Sequence, residues 1–363
     1  MLKNKRKISI TIFVFIIAMN FIPYALGKPR QVYLTDFIYE TEVSGKGFKN
    51  GIMANGMLPE ATAYAIEILK TFGKGIPDEI EMEEFIEDRI RKMLNDDTVM
   101  LYDLFFLIKS LDLLNYPIEE SLRSRIYGYL NDTELIDGGF SISNTSSSPS
   151  MSSTYFVYNT YILIEETFPN ISVHKNWILQ CNNSDGGYGG NKSLSSTILN
   201  TYYATFLLSE IGTIDDLVDK NQTFAYLNSH YVSNPSDVTN FGGYMPDPLS
   251  KNTLLSSTFY CVASISLIDD TILNNTQTSQ WVLSRQNFQD GGFGDKSEGT
   301  TQLLSSVLTT YSAFRVLSTL AALNRLSTEV WMVEFDYIVL IIIMVLIGLA
   351  AGVGGFIWRR RRI

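Results

Sequence analysis

A Gly-Gly-aromatic triplet recurs along the middle of the chain at a nearly constant interval. Its second glycines are separated by 48, 56 and 49 residues. A weaker copy, Gly47-Phe48, precedes the first triplet by 92 residues, and the position halfway between them, near Met93, has lost its glycines. Self-similarity at this period indicates a repeat architecture, and the spacing predicts six repeats. The four triplets are Gly138-Gly139-Phe140, Gly186-Gly187-Tyr188, Gly242-Gly243-Tyr244 and Gly291-Gly292-Phe293.

Each repeat has the same internal order. A polar loop follows the glycines, and then come a hydroxyl-rich triplet, an apolar helix, a turn and a second helix, which carries Trp177 or Trp281 in two of the copies. Hydroxyl residues before a helix suit its N-cap, because their oxygens accept the first free backbone N–H groups. The triplets are Ser152-Ser153-Thr154, Ser195-Ser196-Thr197, Ser256-Ser257-Thr258 and Ser305-Ser306-Val307.

The two helices of a repeat differ in polarity. The first is apolar on most faces, as in Thr197 to Ile211 and Val307 to Leu323, which is typical of a helix buried on both sides. The second carries more charge, as in Glu79 to Lys92 and Asp215 to Lys220. Six such pairs predict an all-α fold, an α6/α6 toroid with one inner helix per repeat. An open one-dimensional solenoid is the alternative.

Two runs of residues carry a resemblance to a known family: Asp185-Gly186-Gly187-Tyr188-Gly189 and the residues from Gln286 to Gly294. With the pairs Thr201-Tyr202 and Thr310-Tyr311, they resemble the repeats of the prenyltransferase and terpene-cyclase superfamily. That family includes protein prenyltransferase β subunits, squalene cyclases and complement-type thioester domains. The resemblance covers about Gly45 to Leu323 and implies a toroid with a central apolar cavity. It does not imply an activity, because the repeat is structural.

The zinc site of the protein prenyltransferases has no counterpart in this sequence. In the family, an Asp-X-Cys pair and a later His hold the zinc that activates a thiolate. The hydroxyl triplets stand at the corresponding places, and Cys261 has no Asp two residues before it. His174 and His230 fall on or beside the predicted outer helices. We therefore predict no metal, no cofactor and no zinc-dependent prenyl transfer.

The acid motif of the squalene-type cyclases, Asp-X-Asp-Asp, is also missing. The acidic pairs are Asp96-Asp97, Asp215-Asp216 and Asp269-Asp270, and none has a third Asp two residues upstream. The last two pairs fall at turns that open outer helices, where carboxylates favour the helix dipole. The Cys-Gly-Glu-Gln stretch of complement thioesters does not occur. The sequence thus predicts no catalytic residue and favours a non-enzymatic role.

A ligand cavity is the remaining candidate site. Aromatic faces accept apolar chains and stabilise cations, and several aromatic residues share a face of the predicted inner helices. Plain core packing is the alternative for these rings, and helix capping is the alternative for the hydroxyls. The predicted cavity residues are Tyr155, Tyr158, Tyr202, Phe206, Phe259 and Tyr311, with Ser152, Ser195, Ser256 and Ser305 at the rim.

The N-terminus has the layout of a secretory signal peptide. Four basic residues between Lys3 and Lys7 precede an apolar run from Ile8 to Ile22, and the small residues Ala25 and Gly27 follow. This layout predicts cleavage after Gly27, so that residues 1–27 are the signal and 28–323 the toroid. A retained N-terminal anchor is the alternative.

The C-terminus predicts a single transmembrane helix. No charge occurs from Tyr337 to Trp358, and 22 residues span about 33 Å as a helix. Arg359 to Arg362 follow at once, and arginines that flank a span stay on the cytoplasmic side. The chain is thus predicted to have a juxtamembrane linker, 324–336, a span, 337–358, and a cytoplasmic tail, 359–363. Processing as a surface sorting signal is the alternative.

Charge and composition are consistent with an exported domain. The chain carries −10, and −18 without its four basic residues near the N-terminus and the four near the C-terminus. So acidic a domain is not expected to bind nucleic acid. Cys181 and Cys261 could pair or remain free. The glycosylation candidates in Asn-X-Ser/Thr sequons are Asn131, Asn144, Asn170, Asn182, Asn191, Asn221 and Asn274.

These observations lead to three functional hypotheses. The first is a single-pass plasma-membrane glycoprotein whose extracellular, non-catalytic toroid binds an apolar small molecule or a surface protein. The second is an enzyme that acts on an isoprenoid with unrecognised catalytic residues. The third is a carbohydrate-active toroid, which would use two carboxylates, such as Glu165-Glu166 or Asp185 with Asp290.

Overall fold

A computed structural model describes residues 27–296 and 303–330. Twelve α-helices lie in these ranges. In chain order they are α1 Arg30–Glu40, α2 Pro59–Thr71, α3 Glu79–Asn95, α4 Leu101–Leu114, α5 Glu120–Asp132, α6 Met151–Leu163, α7 Ile171–Leu179, α8 Ile198–Ile211, α9 Lys220–Asn228, α10 Leu255–Asp269, α11 Asn275–Leu283 and α12 Val307–Thr319.

The even-numbered helices form a closed inner ring. Each packs on the next even-numbered helix along the chain, and α12 packs back on α2. Five of the odd-numbered helices pack against the inner helix that follows them. The predicted α6/α6 toroid is therefore confirmed, and the open solenoid is wrong. We call the end of the ring at which the inner helices begin the amino rim; these first residues are Pro59, Leu101, Met151, Ile198, Leu255 and Val307.

The pattern of apolar residues assigns the helices to the two layers. In the inner helix α8, eight of 14 residues are buried, and they occupy several faces. The outer helix α3 buries a single stripe, Met82, Ile86, Ile90 and Met93, whose three- and four-residue spacing matches one face of a helix. The rest of α3 is largely charged, so its other face can lie in water.

The sixth outer helix comes from the N-terminal part of the toroid, which the sequence pattern did not predict. Helix α1 precedes the first glycine mark, yet it packs where the outer helix of the last repeat belongs. A Cβ on Gly292 would lie 2.9 Å from the ring of Phe37 in α1. A Cβ on Gly291 would lie even closer to α1, against the backbone carbonyl oxygen of Tyr33. The N-terminal helix thus completes the sixth pair.

The second glycine of each triplet lies against an aromatic ring of an outer helix. A side chain at this position would meet the ring, so only glycine lets the turn and the helix approach closely. Distances from an added Cβ to the nearest ring atom are 2.9 Å for Gly139 to Trp177, 2.9 Å for Gly187 to Tyr226, 2.6 Å for Gly243 to Trp281 and 2.9 Å for Gly292 to Phe37.

A buried threonine links each glycine turn to its inner helix. The backbone N–H of the aromatic residue after the glycines donates to the threonine Oγ1, so this buried donor is satisfied. All five threonines are fully buried. The pairs are Phe48 with Thr62 at 2.9 Å, Phe140 with Thr154 at 3.0 Å, Tyr188 with Thr201 at 3.0 Å, Tyr244 with Thr258 at 3.0 Å and Phe293 with Thr310 at 2.9 Å.

Two of the four hydroxyl triplets cap their inner helix, through Thr197 and Ser306, whereas none of the four predicted rim serines is itself a cap. The observed side-chain caps are Ser150 of α6, Thr197 of α8 and Ser306 of α12, whereas α10 begins after Leu254 without one. The four triplets are also not equivalent. In the repeat of α8, Thr201, four residues after Thr197, accepts the hydrogen bond from the backbone N–H of the aromatic residue, as Thr154 and Thr258 do in theirs. The threonine of the triplet does not accept it here because the loop before α8 differs in length. Ser152 and Ser256 each lie second in their helix, and Ser195 and Ser305 precede theirs.

Two predicted helix boundaries also change. Helix α12 ends at Thr319, and a 3-10 helix, Leu323–Ser327, follows it. The charged stretch predicted as an outer helix from Asp215 forms a short 3-10 helix, Ile214–Asp216, and the outer helix α9 begins only at Lys220. Asp216 forms a capping box with Thr213, so its carboxylate serves the turn.

Short antiparallel strand pairs lie in the loops of the amino rim. They are β2 Glu42–Val43 with β3 Gly47–Phe48, β4 Phe140–Ser141 with β5 Pro149–Ser150, and β6 Gly294–Lys296 with β7 Leu303–Ser305. Each joins the end of an outer helix to the start of an inner one. A further pair, β1 Lys28–Pro29 with β8 Glu329–Val330, belongs to a second compact unit.

The predicted signal peptide up to Leu26 and the predicted span from Tyr337 to Trp358 lie outside the described residues. Within the described ranges, no helix combines the length and apolarity needed to cross a bilayer. The domain boundaries predicted at the two ends remain predictions.

Candidate functional site

The inner ring is lined by a continuous belt of aromatic side chains. Consecutive rings lie within the 4.5–7 Å range in which aromatic pairs attract, apart from one closer stack, and every inner helix contributes at least one. The stack joins α12 to α2, where Tyr64 and Tyr311 lie 3.5 Å apart and nearly parallel. The belt runs through Tyr64, Phe106, Phe156, Tyr203, Tyr202, Phe259, Tyr311 and back to Tyr64.

A cavity of about 260 Å³ opens beside this belt. It lies at the amino rim, because its wall includes residues from the first turns of α2, α10 and α12. We call it the rim cavity. Its lining residues are Asn50, Glu60, Tyr64, Ser256, Phe259, Tyr260, Ser306, Leu308, Thr309, Tyr311 and Ser312.

Glu60 is the one charged residue among the described residues that line the rim cavity. It is the second residue of α2, and its carboxylate accepts a hydrogen bond from the hydroxyl of Tyr102 on α4. Burial raises the pKa of Glu60, and hydrogen bonds from Tyr102 and Tyr64 and the positive charge of Lys109 oppose that shift without cancelling it. The cavity therefore contains an acid that holds its proton more firmly than an exposed glutamate.

A cluster of charged side chains lies further along the same helices, toward the carboxyl ends of the inner ring. Glu67 on α2 lies 2.7 Å from the Lys109 Nζ on α4 and 3.3 Å from an Arg315 Nη1 on α12. The Tyr311 hydroxyl donates to Glu67 at 2.9 Å and accepts from Arg315 at 3.1 Å. Burial favours a raised pKa for Glu67, but the two cations and these hydrogen bonds outweigh it and lower the pKa.

The predicted cavity aromatics occupy three different environments. Phe259 and Tyr311 line the rim cavity and belong to the belt. Tyr202 belongs to the belt, and Tyr155 and Phe206 contact it at centroid distances of 5.9 and 6.3 Å. Tyr158 lies farther out, where its ring packs on Phe168 at 5.1 Å.

Of the four predicted rim hydroxyls, Ser256 lines the rim cavity. Ser152 is half-buried, and its Oγ lies 3.2 Å from the Oγ of Ser150. Ser195 is exposed in the loop before α8, and Ser305 ends β7. The structure brings only one of the four to the cavity.

Sequence reasoning missed the polar residues of the inner ring. Glu60, Glu67, Lys109 and Arg315 were not singled out. A signal was present, because Lys109 and Arg315 are each the single basic residue of an otherwise largely apolar inner helix. Such a charge needs a partner when buried. Its partner could not be named, since α2 and α12 lie at opposite ends of the toroid sequence.

The two histidines and the two cysteines are buried in the fold. His174, on the outer helix α7, accepts a hydrogen bond from Gly139 N–H at 3.0 Å and lies 3.1 Å from Glu134. Both cysteines are free and buried, and burial raises the pKa of Cys181 to about 12. Within the part of the chain that the structure describes, no three His, Cys, Asp or Glu side chains group closely enough to hold a metal ion.

Two of the carboxylates considered for glycan cleavage, Asp185 and Asp290, serve the glycine turns. Asp185 accepts from the Gly187 N–H at 3.0 Å and from the Ser196 hydroxyl at 2.7 Å. Asp290 accepts from the Gly292 N–H at 3.0 Å. The same role in two repeats indicates that these carboxylates order the turns.

Comparisons with known proteins agree with this architecture. Residues 82–175, 172–248 and 238–335 match the sequence model of the prenyltransferase alpha-alpha toroid domain. No curated protein matches the chain. Among solved structures, protein geranylgeranyltransferase-I of Candida albicans, complexed with GGPP, has a TM-score of 0.62 at 16% identity over 75% of this chain and 86% of that chain. The type II terpene cyclase MstE from Scytonema has a TM-score of 0.52 at 12% identity over 82% and 96%. Identities this low establish a shared fold alone.

Proposed function

Because this chain belongs to the prenyltransferase alpha-alpha toroid family, we propose that its toroid is a non-catalytic binding protein that holds a small apolar ligand in the rim cavity. The observation that carries the proposal is the cavity itself, which has a volume of about 260 Å³ and is lined by four aromatic side chains. Pockets for drug-sized ligands enclose ~300–1,000 Å³. A cavity of this size suits a small molecule better than a long isoprenoid chain.

The charged cluster beyond the cavity supports a binding role. Glu67, Lys109 and Arg315 neutralise one another in part and occupy the ring interior beside Tyr311. Buried charges are costly unless they are paired, and here the pairing is mutual. The cluster forms a polar floor, which limits how far an apolar ligand extends into the ring.

A test of ligand binding uses the full-length chain, purified in a mild non-ionic detergent and examined by native mass spectrometry and metal analysis. We expect a small organic mass that is released on denaturation. Ser256→Leu narrows the cavity and should abolish that mass, whereas Ser195→Leu, on an exposed loop, should retain it. Persistence of the mass in Ser256→Leu, or stoichiometric zinc in the unaltered protein, would contradict the proposal.

An enzyme acting on an isoprenoid is the second candidate. Glu60 favours it, because a buried carboxyl with a raised pKa beside aromatic rings can act as a general acid. The fold is shared with a geranylgeranyltransferase complexed with GGPP and with a terpene cyclase. Incubating the protein with GGPP and analysing the products by mass spectrometry tests this candidate. Turnover that Glu60→Gln abolishes would replace the binding proposal with a catalytic one.

The location proposed for the toroid is the outside of the plasma membrane, on a single-pass anchor at Tyr337 to Trp358 with the C-terminus in the cytoplasm. The basic and apolar pattern of both ends supports it. Mass spectrometry of the mature N-terminus should find a chain that begins after Gly27. Protease added to intact cells should remove the toroid, and recovery of the whole chain in the soluble fraction would contradict the anchor.

A further inference from the structure

The only charged side chain among the described residues that line the rim cavity is acidic. It is Glu60, and no lysine, arginine or histidine of the described chain lines the wall. The other polar groups there are hydroxyls and one amide, from Ser256, Ser306, Thr309, Ser312 and Asn50, with the phenols of the tyrosines. These groups carry no compensating positive charge.

Lys109 is the basic residue that acts on Glu60, and it is already bound elsewhere. Its ammonium lies 2.7 Å from Glu67. It is also 5.6 and 5.5 Å from the ring centres of Tyr64 and Tyr311, which are stacked 3.5 Å apart. Equal distances from two stacked rings place a cation beside their edge, and the Tyr311 hydroxyl at 3.4 Å agrees with this. Lys109 therefore lies at the hydroxyl edge and not over an aromatic face.

Phenols from four inner helices lie within electrostatic reach of the Glu60 carboxyl, and two of them, Tyr64 and Tyr102, donate hydrogen bonds to it. They are Tyr64 on α2, Tyr102 on α4, Tyr203 on α8 and Tyr260 on α10. Burial is the main cause that raises the pKa of each phenol, and the negative charge of Glu60 raises it further in all four. Glu60 thus lies within electrostatic reach of rings from four inner helices.

We propose that the rim cavity binds a substituted ammonium ion, a small alkylated monocation held by the Glu60 carboxylate and by the aromatic side chains that line the cavity. This inference rests on the proposed binding function and revises its ligand, from a neutral apolar molecule to a cation whose alkyl groups are apolar. Cations over tyrosine or phenylalanine faces are stabilised by the ring quadrupole, and more strongly when they are desolvated. The alkyl groups would contact the apolar wall that Phe259 and Leu308 provide.

The alternatives fit the cavity less well. An anion would lie against the carboxylate of Glu60. A neutral apolar molecule would supply no counter-charge to Glu60, whose pKa burial already raises. A monocation satisfies both the charge and the aromatic wall, and the cavity volume of about 260 Å³ exceeds the ~150 Å³ that encloses a benzene molecule.

The test compares choline with its neutral isostere, 3,3-dimethylbutan-1-ol, by calorimetric titration of the full-length protein in a maltoside detergent at pH 7. We expect choline to bind at least ~10-fold more tightly than the isostere. Glu60→Gln should lower the choline affinity by at least ~10-fold and leave the isostere unchanged. Glu84→Gln, which removes an exposed charge on α3, is the matched control and should change neither affinity.

A second pair of variants separates the aromatic contribution from folding. Tyr260→Phe retains a ring and should retain choline binding, whereas Tyr260→Leu should weaken it. Thermal unfolding of each variant shows whether the toroid is intact. Glycerophosphocholine is expected to bind more weakly than choline, because its phosphate would approach Glu60. Affinity equal to that of choline would assign the site to a lipid headgroup rather than to a free amine.

Lowering the pH from 8 to 5 provides an independent measurement. The groups that face Glu60 are Tyr64 on its own helix, Tyr102 and Lys109 on α4, Tyr203 on α8 and Tyr260 on α10. The pKa values of these five groups are all raised above ordinary values near 10, so none of them changes its charge between pH 8 and 5. Choline affinity should fall as Glu60 gains its proton. Equal binding of choline and the isostere at pH 7, or no binding of either, overturns the ammonium proposal. The proposed binding function is decided separately, by native mass spectrometry of the unaltered protein.

Discussion

Glu60 and Glu67 lie two helical turns apart on α2, and the ring gives them opposite electrostatic environments. Glu67 is paired with Lys109 at 2.7 Å and with Arg315 at 3.3 Å, and its pKa is lowered despite burial. Glu60 accepts hydrogen bonds from phenols, and burial raises its pKa. One carboxylate thus stabilises the closed ring, while the other lies at the rim cavity, where burial raises its pKa.

The first prediction concerns opposite stability changes in two glutamine variants. At pH 7, Glu67→Gln should lower the free energy of unfolding by about 1–3 kcal/mol, because it leaves two partly buried cations without their counter-charge. Glu60→Gln should raise it slightly, because ionising Glu60 at pH 7 costs more in the folded than in the unfolded chain. Thermal and denaturant unfolding measure both.

The two glutamates should also contribute to stability with opposite dependence on pH. The contribution of Glu67, whose folded pKa is lowered, is present above the unfolded value of ~4.3 and is lost as the pH falls through the folded value. The contribution of Glu60, whose folded pKa is raised, is present below the unfolded value and is lost as the pH rises through the folded value. Equal and parallel changes in both variants from pH 3 to 8 would contradict the assigned environments.

The second prediction uses two glycines with opposite surroundings. A Cβ on Gly243 would lie 2.6 Å from the ring of Trp281, so Gly243→Ala should destabilise the fold by about 1–3 kcal/mol. Gly128 lies exposed inside α5 with no atom within 4 Å of an added Cβ. Gly128→Ala should therefore stabilise the protein by ~0.5–1 kcal/mol. Chemical denaturation of the two variants should give shifts of opposite sign.

The third prediction concerns the threonine that links a glycine turn to its inner helix. The Thr258 Oγ1 accepts from the Tyr244 N–H at 3.0 Å and donates to the Leu254 carbonyl at 2.8 Å. Thr258→Val retains the shape and leaves the buried N–H unsatisfied, at a cost of about 1–3 kcal/mol. Thr145→Val, in an exposed loop, serves as the control and should change stability little. Similar losses of unfolding free energy in the two variants would show that the hydrogen bond between Tyr244 and Thr258 does not stabilise the fold.

The fourth prediction ranks the glycosylation candidates in the proposed exported protein. Asn144 and Asn221 are exposed and should carry glycans. Asn131 should not, because its side chain accepts from the Tyr161 hydroxyl at 2.5 Å. Asn182 should not either, because its amide donates to the Gly187 carbonyl at 3.3 Å. Peptide mapping after enzymatic deglycosylation identifies the modified sites. Modification at Asn182 with none at Asn144 would contradict this ranking.

The repeats could be predicted from sequence because their determinants are local. A glycine beside an aromatic residue marks each turn, since any side chain there would meet a ring of the outer helix, as at Gly139 and Trp177. The same requirement recurs in each copy, so the number and order of the helix pairs are visible as a spacing. The serines were not the caps, because a loop that is one residue longer or shorter shifts the helix start, and the spacing between the glycines varies too much to show it.

The site depended on contacts that no local pattern contains. Glu67 and Arg315 are 248 residues apart, and Lys109 and Tyr311 are 202 residues apart. Within its own helix, each of these charged residues has no evident partner. The partners come together only because α12 packs on α2. The sequence by itself determined the repeats, their glycine turns and the apolar character of the inner helices, because these follow from steric and hydrophobic requirements within one copy. Only the tertiary structure decided which charges pair and which one remains at the cavity, because ring closure brings the first and last inner helices together.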